Sequence, residues 1–209
     1  MSGRCPISSI AAPAARAKRA AFWVVACSLA VFAVSGWAAT ANEDIVVHAK
    51  KEGAEVVVEV DCPVRAPALT VWDVLTDYDN MSRFISNLQY SGIQGRVDNV
   101  LKVRQSGKAS RGPLTITFDN VREVELRPFT EVRSRLISGD LKASAFTTRL
   151  VEADGLVHIV HSGRYTPKMW VPPVIGPALI EAETRKQFGE IRTEILRRSE
   201  RRAAELAPR

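Results

Sequence analysis

The sequence is poor in the residues that usually bring chemistry to a site. It holds 3 cysteines and 3 histidines in 209 residues, and aromatics make up only 7%. Cys5 and Cys27 fall within the first forty-one residues, so Cys62 stands alone beyond them. A single thiol forms no intrachain disulfide and no cysteine-based zinc cluster. Cys62 sits in an alternating apolar pattern and is expected to be a buried structural thiol. No His-Glu-x-x-His, Gly-x-Ser-x-Gly, phosphate-binding loop or dinucleotide fingerprint occurs. His158 and His161 lie an odd number of residues apart in one strand-like run, which puts them on opposite faces. Asp77 and Asp79 suit turn chemistry and helix capping better than a calcium loop, which needs a glycine and a terminal glutamate at fixed spacing. No metal, no cofactor and no catalytic residue is expected.

A basic surplus on the body is also missing. The formal charge is +6, but residues 1–41 carry 4 basic residues and no acidic one. From Arg185 onward there are 8 basic and 4 acidic residues, which leaves 17 basic against 19 acidic in residues 42–184. A nucleic-acid-binding body shows the opposite balance, so no nucleic-acid partner is expected. With 46% hydrophobic and 25% charged residues, the chain has the composition of a folded domain.

No apolar run reaches the ~20 residues of a membrane-spanning helix. Ala20–Val34 comes nearest, with 15 uncharged residues. It follows Arg16, Lys18 and Arg19 and precedes Ala39-Thr40-Ala41, the pattern of a secretory signal with its cleavage site. Residues 1–41 are therefore expected to be a signal peptide, cleaved near Ala41. The mature chain, 42–209, is expected in a periplasm or outside the cell. Two alternatives stand beside this. Extension through Trp37-Ala38-Ala39 would make the segment an uncleaved anchor, and Val24-Val25-Ala26-Cys27 loosely resembles a lipid-attachment motif.

The rest of the sequence is dominated by alternation. Val56, Val58, Val60 and Cys62 share one face of a strand, with Glu55, Glu59 and Asp61 on the other. Leu69, Trp72 and Leu75 then recur at helical spacing. Asp77 or Asp79 is placed to cap a second short helix carrying Met81, Phe84 and Ile85. Strands are expected at Tyr90–Val97, Val100–Lys108, Leu114–Val124, Thr130–Ile137, Ala143–Glu152 and Leu156–Thr166, with a bulge near Asn120. Short turns between them imply an antiparallel meander. After a proline-rich connector, Ala178 to about Ala204 reads as one long helix with Ile180, Thr184, Phe188 (or Gln187), Ile191 and Ile195 in a stripe. Its end carries Arg197, Arg198, Arg201 and Arg202. These suit a solvated helix end, or alternatively contact with an anionic membrane surface.

A meander with one long amphipathic helix folds as a curved sheet around that helix. Where the helix does not fill the concavity, an apolar cavity remains. The more apolar face of each strand supplies its candidate lining: Val103, Ile116, Phe118, Leu136, Phe146, Leu150, Val157 and Ile159. The same parity brings in His161 and Tyr165, and the helix adds Phe188 and Ile191. The expected partner is a hydrophobic small molecule. The composition says nothing about oligomeric state.

This order of elements resembles the START-like, helix-grip superfamily, which includes birch-pollen-allergen-like proteins, polyketide cyclases/dehydrases and coenzyme Q-binding proteins. The segment Ala68-Leu-Thr-Val-Trp72-Asp-Val-Leu-Thr-Asp77-Tyr78-Asp79-Asn80-Met-Ser-Arg-Phe84-Ile85 looks like a recurrent segment of that family, with Ser86 where a proline often stands. Trp170-Val171-Pro172-Pro173 looks familial too. The resemblance implies an α+β fold: a curved antiparallel sheet of about seven strands wrapped around a C-terminal helix. It also implies a START-like ligand-binding domain over residues 42–209, with an apolar-ligand pocket between sheet and helix. A carrier of lipid, quinone or a similar molecule fits an exported member. A cyclase/dehydratase using His161 and Tyr165, or an interaction module with a vestigial pocket, is the alternative.

Overall fold

The computed structural model describes residues 44–111, 114–168 and 175–207. The expected signal peptide lies outside the described residues. Eight strands form one antiparallel sheet: β1 (Val46–Glu52), β2 (Glu55–Val64), β3 (Leu88–Val97), β4 (Val100–Arg111), β5 (Leu114–Arg127), β6 (Glu131–Gly139), β7 (Leu141–Ala153) and β8 (Leu156–Pro167). Helix α1 (Ala68–Leu75) and a 3-10 turn (Met81–Arg83) connect β2 to β3, and α2 (Ile175–Leu206) ends the chain. The strand order is β1-β2-β8-β7-β6-β5-β4-β3. This is the helix-grip architecture, with one strand more than the alternation suggested.

The alternation of β2 becomes burial directly. Val56, Val58, Val60 and Cys62 are all at most 4% exposed. Each such side chain contributes on the order of 2 kcal/mol through area removed from water. Their partners across the concave face are Phe188, Ile191 and Ile195 of α2, which join the same core. The Cys62 thiol points at the Phe188 carbonyl, 4.0 Å away. Burial pushes its pKa up to about 12, so it stays a thiol at neutral pH.

The sheet is not closed on itself, so β1 and β3 are both edges. Helix α2 covers the gap. At 32 residues it spans about 48 Å. Near its start, Glu181 accepts a hydrogen bond from the Ala49 N–H at 2.9 Å, and Arg185 donates to the Ile45 carbonyl. Further along, Glu190 accepts from the N–H and the hydroxyl of Ser86, at 3.0 and 2.6 Å, just ahead of β3. One helix thus holds the β1 edge and the approach to β3.

The arginine-rich end of α2 is not simply a solvated helix end. Arg198 donates to Asp77 at 2.8 Å and to Glu194 at 2.7 Å. Arg202 donates to Asp73 at 2.6 Å and to the Thr70 hydroxyl at 3.0 Å. Both tie α2 to α1 and its exit loop. Asp77 therefore does not cap the 3-10 turn: Asn80 stands at that position, without a side-chain capping bond. Asp79 accepts from the Ile93 N–H of β3 instead.

Gly163 on β8 shows how tightly the sheet is drawn. A Cβ there would lie 2.3 Å from the Ala145 carbonyl oxygen and 2.4 Å from the Phe146 ring. Only a glycine lets Phe146 cross its neighbour at this point. The Gly163→Ala substitution is expected to cost about 1–3 kcal/mol in urea unfolding, because backbone must move to admit the methyl.

Glu194 gives a second test. Hydrogen bonds from Arg197, then Arg198, outweigh desolvation and hold its carboxyl at about 2. A depressed folded pKa stabilises above the unfolded value of 4.5, and this contribution disappears as pH falls toward 2. Allowing for the exposed Arg197, the contribution is on the order of 2 kcal/mol. Glu194→Gln should flatten the acid limb of the stability curve in that window.

Candidate functional site

Between the concave face and α2 lies a cavity of about 270 Å³. Its apolar wall comes from β2 (Val58), α1 (Leu75), β5 (Val124), β6 (Val132) and α2 (Ile180, Ile191). Clefts of about 390 and 410 Å³ elsewhere are more open to solvent and lie away from this interior.

Phe146, His161, Tyr165, Phe188 and Ile191, all anticipated, line the cavity together. The others are placed differently. Val103 and Ile159 are fully buried in the core but off the cavity wall. Val157 is buried beside a cleft near Ala66–Ala68. Phe118 and Leu150 pack at the edge of the core, and Leu136 is half-buried; none reaches the wall. The Ile116 side chain lies outside the described residues. Parity selects a face correctly, but only the part of that face beneath α2 borders the cavity. Strands β4, β5 and β7, of 12 to 14 residues, run past it.

His161 is the centre of an aromatic stack. The Phe146 ring lies parallel to it at 5.0 Å, and Phe188 meets it tilted at 5.4 Å. Tyr165 tilts against Phe146 at 6.2 Å. Gly163, on the same face between His161 and Tyr165, leaves the room this stack needs. The imidazole Nδ1 shares a hydrogen bond with the Thr148 hydroxyl across the β7–β8 ladder, at 2.8 Å. Burial, followed by the positive charge of Arg122, lowers the His161 pKa to about 4. Burial likewise pushes Tyr78 and Tyr165 up to about 12. All three rings are neutral at physiological pH. His158 lies on the opposite face of β8 and pairs with Asp61 at 2.9 Å.

Sequence reasoning missed the polar half of the wall: Tyr78, Gln105, Arg122, Ser134 and Thr148. Each shares strand parity with an anticipated neighbour, apart from Tyr78, which follows α1. Choosing inward positions by apolarity discards such residues. Arg122 lies opposite Val103 in the β4–β5 register, at a shift in the β5–β6 pairing. Its guanidinium donates to the Gln105 side-chain oxygen. The Gln105 amide nitrogen in turn donates to Ser91 at 3.0 Å and approaches the Met81 sulfur at 3.3 Å. Among the described residues, no cluster of His, Cys, Asp or Glu could hold a metal ion.

The fold is shared with several solved structures. A STAR-related lipid transfer protein from Xanthomonas axonopodis matches with a TM-score of 0.61 and 13% identity, over 74% of this chain and 94% of that one. A START superfamily protein from Mycobacterium smegmatis matches at 0.58 and 12%, over 68% and 97%. The ZhuI aromatase/cyclase from Streptomyces sp. R1128 matches at 0.57 and 17%, over 71% and 96%. Among curated proteins, none matches the chain in sequence. At these identities the structural likeness concerns fold alone. A family model described as polyketide cyclase / dehydrase and lipid transport matches residues 64–187. That stretch runs from the end of β2 to the middle of α2 and takes in nearly every element bordering the cavity, so the chain belongs to this family, within the START-like superfamily.

Proposed function

We propose that this protein is an exported, non-enzymatic binding or carrier protein for a hydrophobic small molecule. The observation that carries the reading is the interior cavity, walled mainly by aliphatic and aromatic side chains beneath α2. Apolar concave sites with a few fixed polar groups are the usual form of small-molecule sites. Export rests on the signal-like residues 1–41. The family's lipid-transport members point the same way.

The cyclase/dehydratase alternative asks His161 and Tyr165 to exchange protons with a substrate. Both side chains line the cavity, which favours it. Their pKa values weigh against it. General acid–base groups work best near the operating pH. A histidine near 4 is a weak base at neutral pH, and a tyrosine near 12 is a weak acid. The stack on Phe146 and the Thr148 bond also give His161 a packing role without a reaction.

Occupancy tests the proposal. Protein isolated from its native envelope without denaturant should release an apolar molecule in native mass spectrometry. The neutral dye Nile red should bind the emptied protein. Consistent failure of both would remove the carrier reading. Ser134→Phe places a ring on the wall and should weaken Nile red binding by about 10-fold or more, with the fold retained by circular dichroism.

His161 supplies a pH test. The unfolded chain takes up a proton near 6.5, whereas the folded one waits until about 4. The unfolded state binds more protons in between, so stability falls as pH drops through that window, by up to about 3 kcal/mol. His161→Phe should abolish this loss in urea titrations, at a baseline cost of about 1 kcal/mol for the Thr148 bond. A turnover assay on a cyclase-type substrate that depends on His161 would instead support the enzyme.

A further inference from the structure

The described cavity wall carries one charged side chain. Among its described lining residues there is no Asp, Glu or Lys, and Arg122 is the sole cation. Its described hydrogen-bond partner is Gln105, a neutral amide. Its Nε is sealed from solvent and makes no hydrogen bond. Several arginines elsewhere are paired with carboxylates. Arg104 pairs with Asp119 at 2.6 Å, Arg198 with Asp77 at 2.8 Å and Arg202 with Asp73 at 2.6 Å. A guanidinium removed from bulk water without a carboxylate is costly, and pairing is the ordinary remedy.

The group is also held in place. Gln105 grips one corner of the guanidinium, and Ser91 and Met81 fix Gln105. The planar fork keeps N–H donors to spare, in the geometry that suits a carboxylate. Tyr78 lies near enough to interact electrostatically with the charge, but its phenol stays protonated and cannot neutralise it. The remaining wall is uncharged: aliphatic and aromatic side chains, with the hydroxyls of Ser134, Thr148 and Thr184 and the amide of Gln187 among them.

We propose that the cavity takes a compact apolar molecule bearing a single carboxylate, with that carboxylate paired to Arg122. The inference rests on reading the cavity as a ligand site and adds the chemical class of the ligand. Charge counting selects the headgroup. A carboxylate brings one negative charge and cancels the guanidinium. A phosphate monoester brings about −1.5 to −2 and leaves a buried excess. An alcohol or hydrocarbon leaves the cation bare. Size selects the body: about 270 Å³ falls just below the ~300–1,000 Å³ usual for small-molecule sites, which favours a short chain or small ring system over a two-chain lipid.

The test uses the full chain stripped of endogenous ligand, with calorimetry of decanoate, decanol and decyl phosphate. Decanoate should bind about 10- to 100-fold more tightly than decanol, the range expected of charge-assisted hydrogen bonds to a desolvated partner. Decyl phosphate should bind less well than decanoate. In Arg122→Met, decanoate should fall to the level of decanol, while Nile red still binds. Equal affinity for decanoate and decanol in the unaltered protein overturns the proposal. So does a carboxylate preference that survives Arg122→Met, or a preference for the phosphate. If Arg122→Met does not fold, the comparison in the unaltered protein decides alone. Nile red binding without a carboxylate advantage defeats this inference only, whereas no binding of any probe defeats the ligand-site reading with it.

Discussion

An antiparallel sheet with two open edges must be covered, and a single helix does it here. Helix α2 meets β1 through Glu181 and Arg185 and meets the approach to β3 through Ser86 and Glu190. Its far end is fastened to α1 by Arg198 and Arg202. These contacts set the distance between helix and sheet. That distance decides that Phe188, Ile191 and Ile195 fill the core, and that a cavity remains near Ile180 and Thr184. The site is a by-product of how the helix is held.

Enclosure then determines the electrostatics. Removing His161, Tyr78 and Tyr165 from water drives each toward its neutral form. The same removal lowers the Arg122 pKa, yet guanidinium starts so high that it stays charged. The interior therefore combines neutral rings with one permanent cation. In the proposed binding role, such a setting would select a ligand by shape and sign, with little proton traffic.

Much of the fold was legible because alternation and helical spacing are strong signals. Val56 to Cys62 announced a strand with one buried face, and the stripe from Ile180 to Ile195 announced the helix. β1 escaped because Lys50, Lys51 and Glu52 mask its two inward residues, Val47 and Ala49. The site was half legible. His161, Tyr165 and Phe146 followed from strand parity and Phe188 and Ile191 from helical spacing, both of which are local. Leu136, Phe118 and Leu150 did not reach the wall, because where α2 crosses a strand is a tertiary matter. Arg122 went unseen because a charged residue at an inward position is excluded by the very rule that finds its neighbours. Asp77 shows the same limit: its partner Arg198 is 121 residues away.

The grip on β1 has a consequence for life among other chains. An exposed strand edge is a template to which any extended peptide can add, and fibres grow from such templates. Glu181 and Arg185, one helical turn apart, occupy a free N–H and a free carbonyl of that edge with side chains of the same molecule. A strand arriving from a second copy finds those backbone groups already taken. The helix that encloses the cavity thus also obstructs strand addition at the β1 edge.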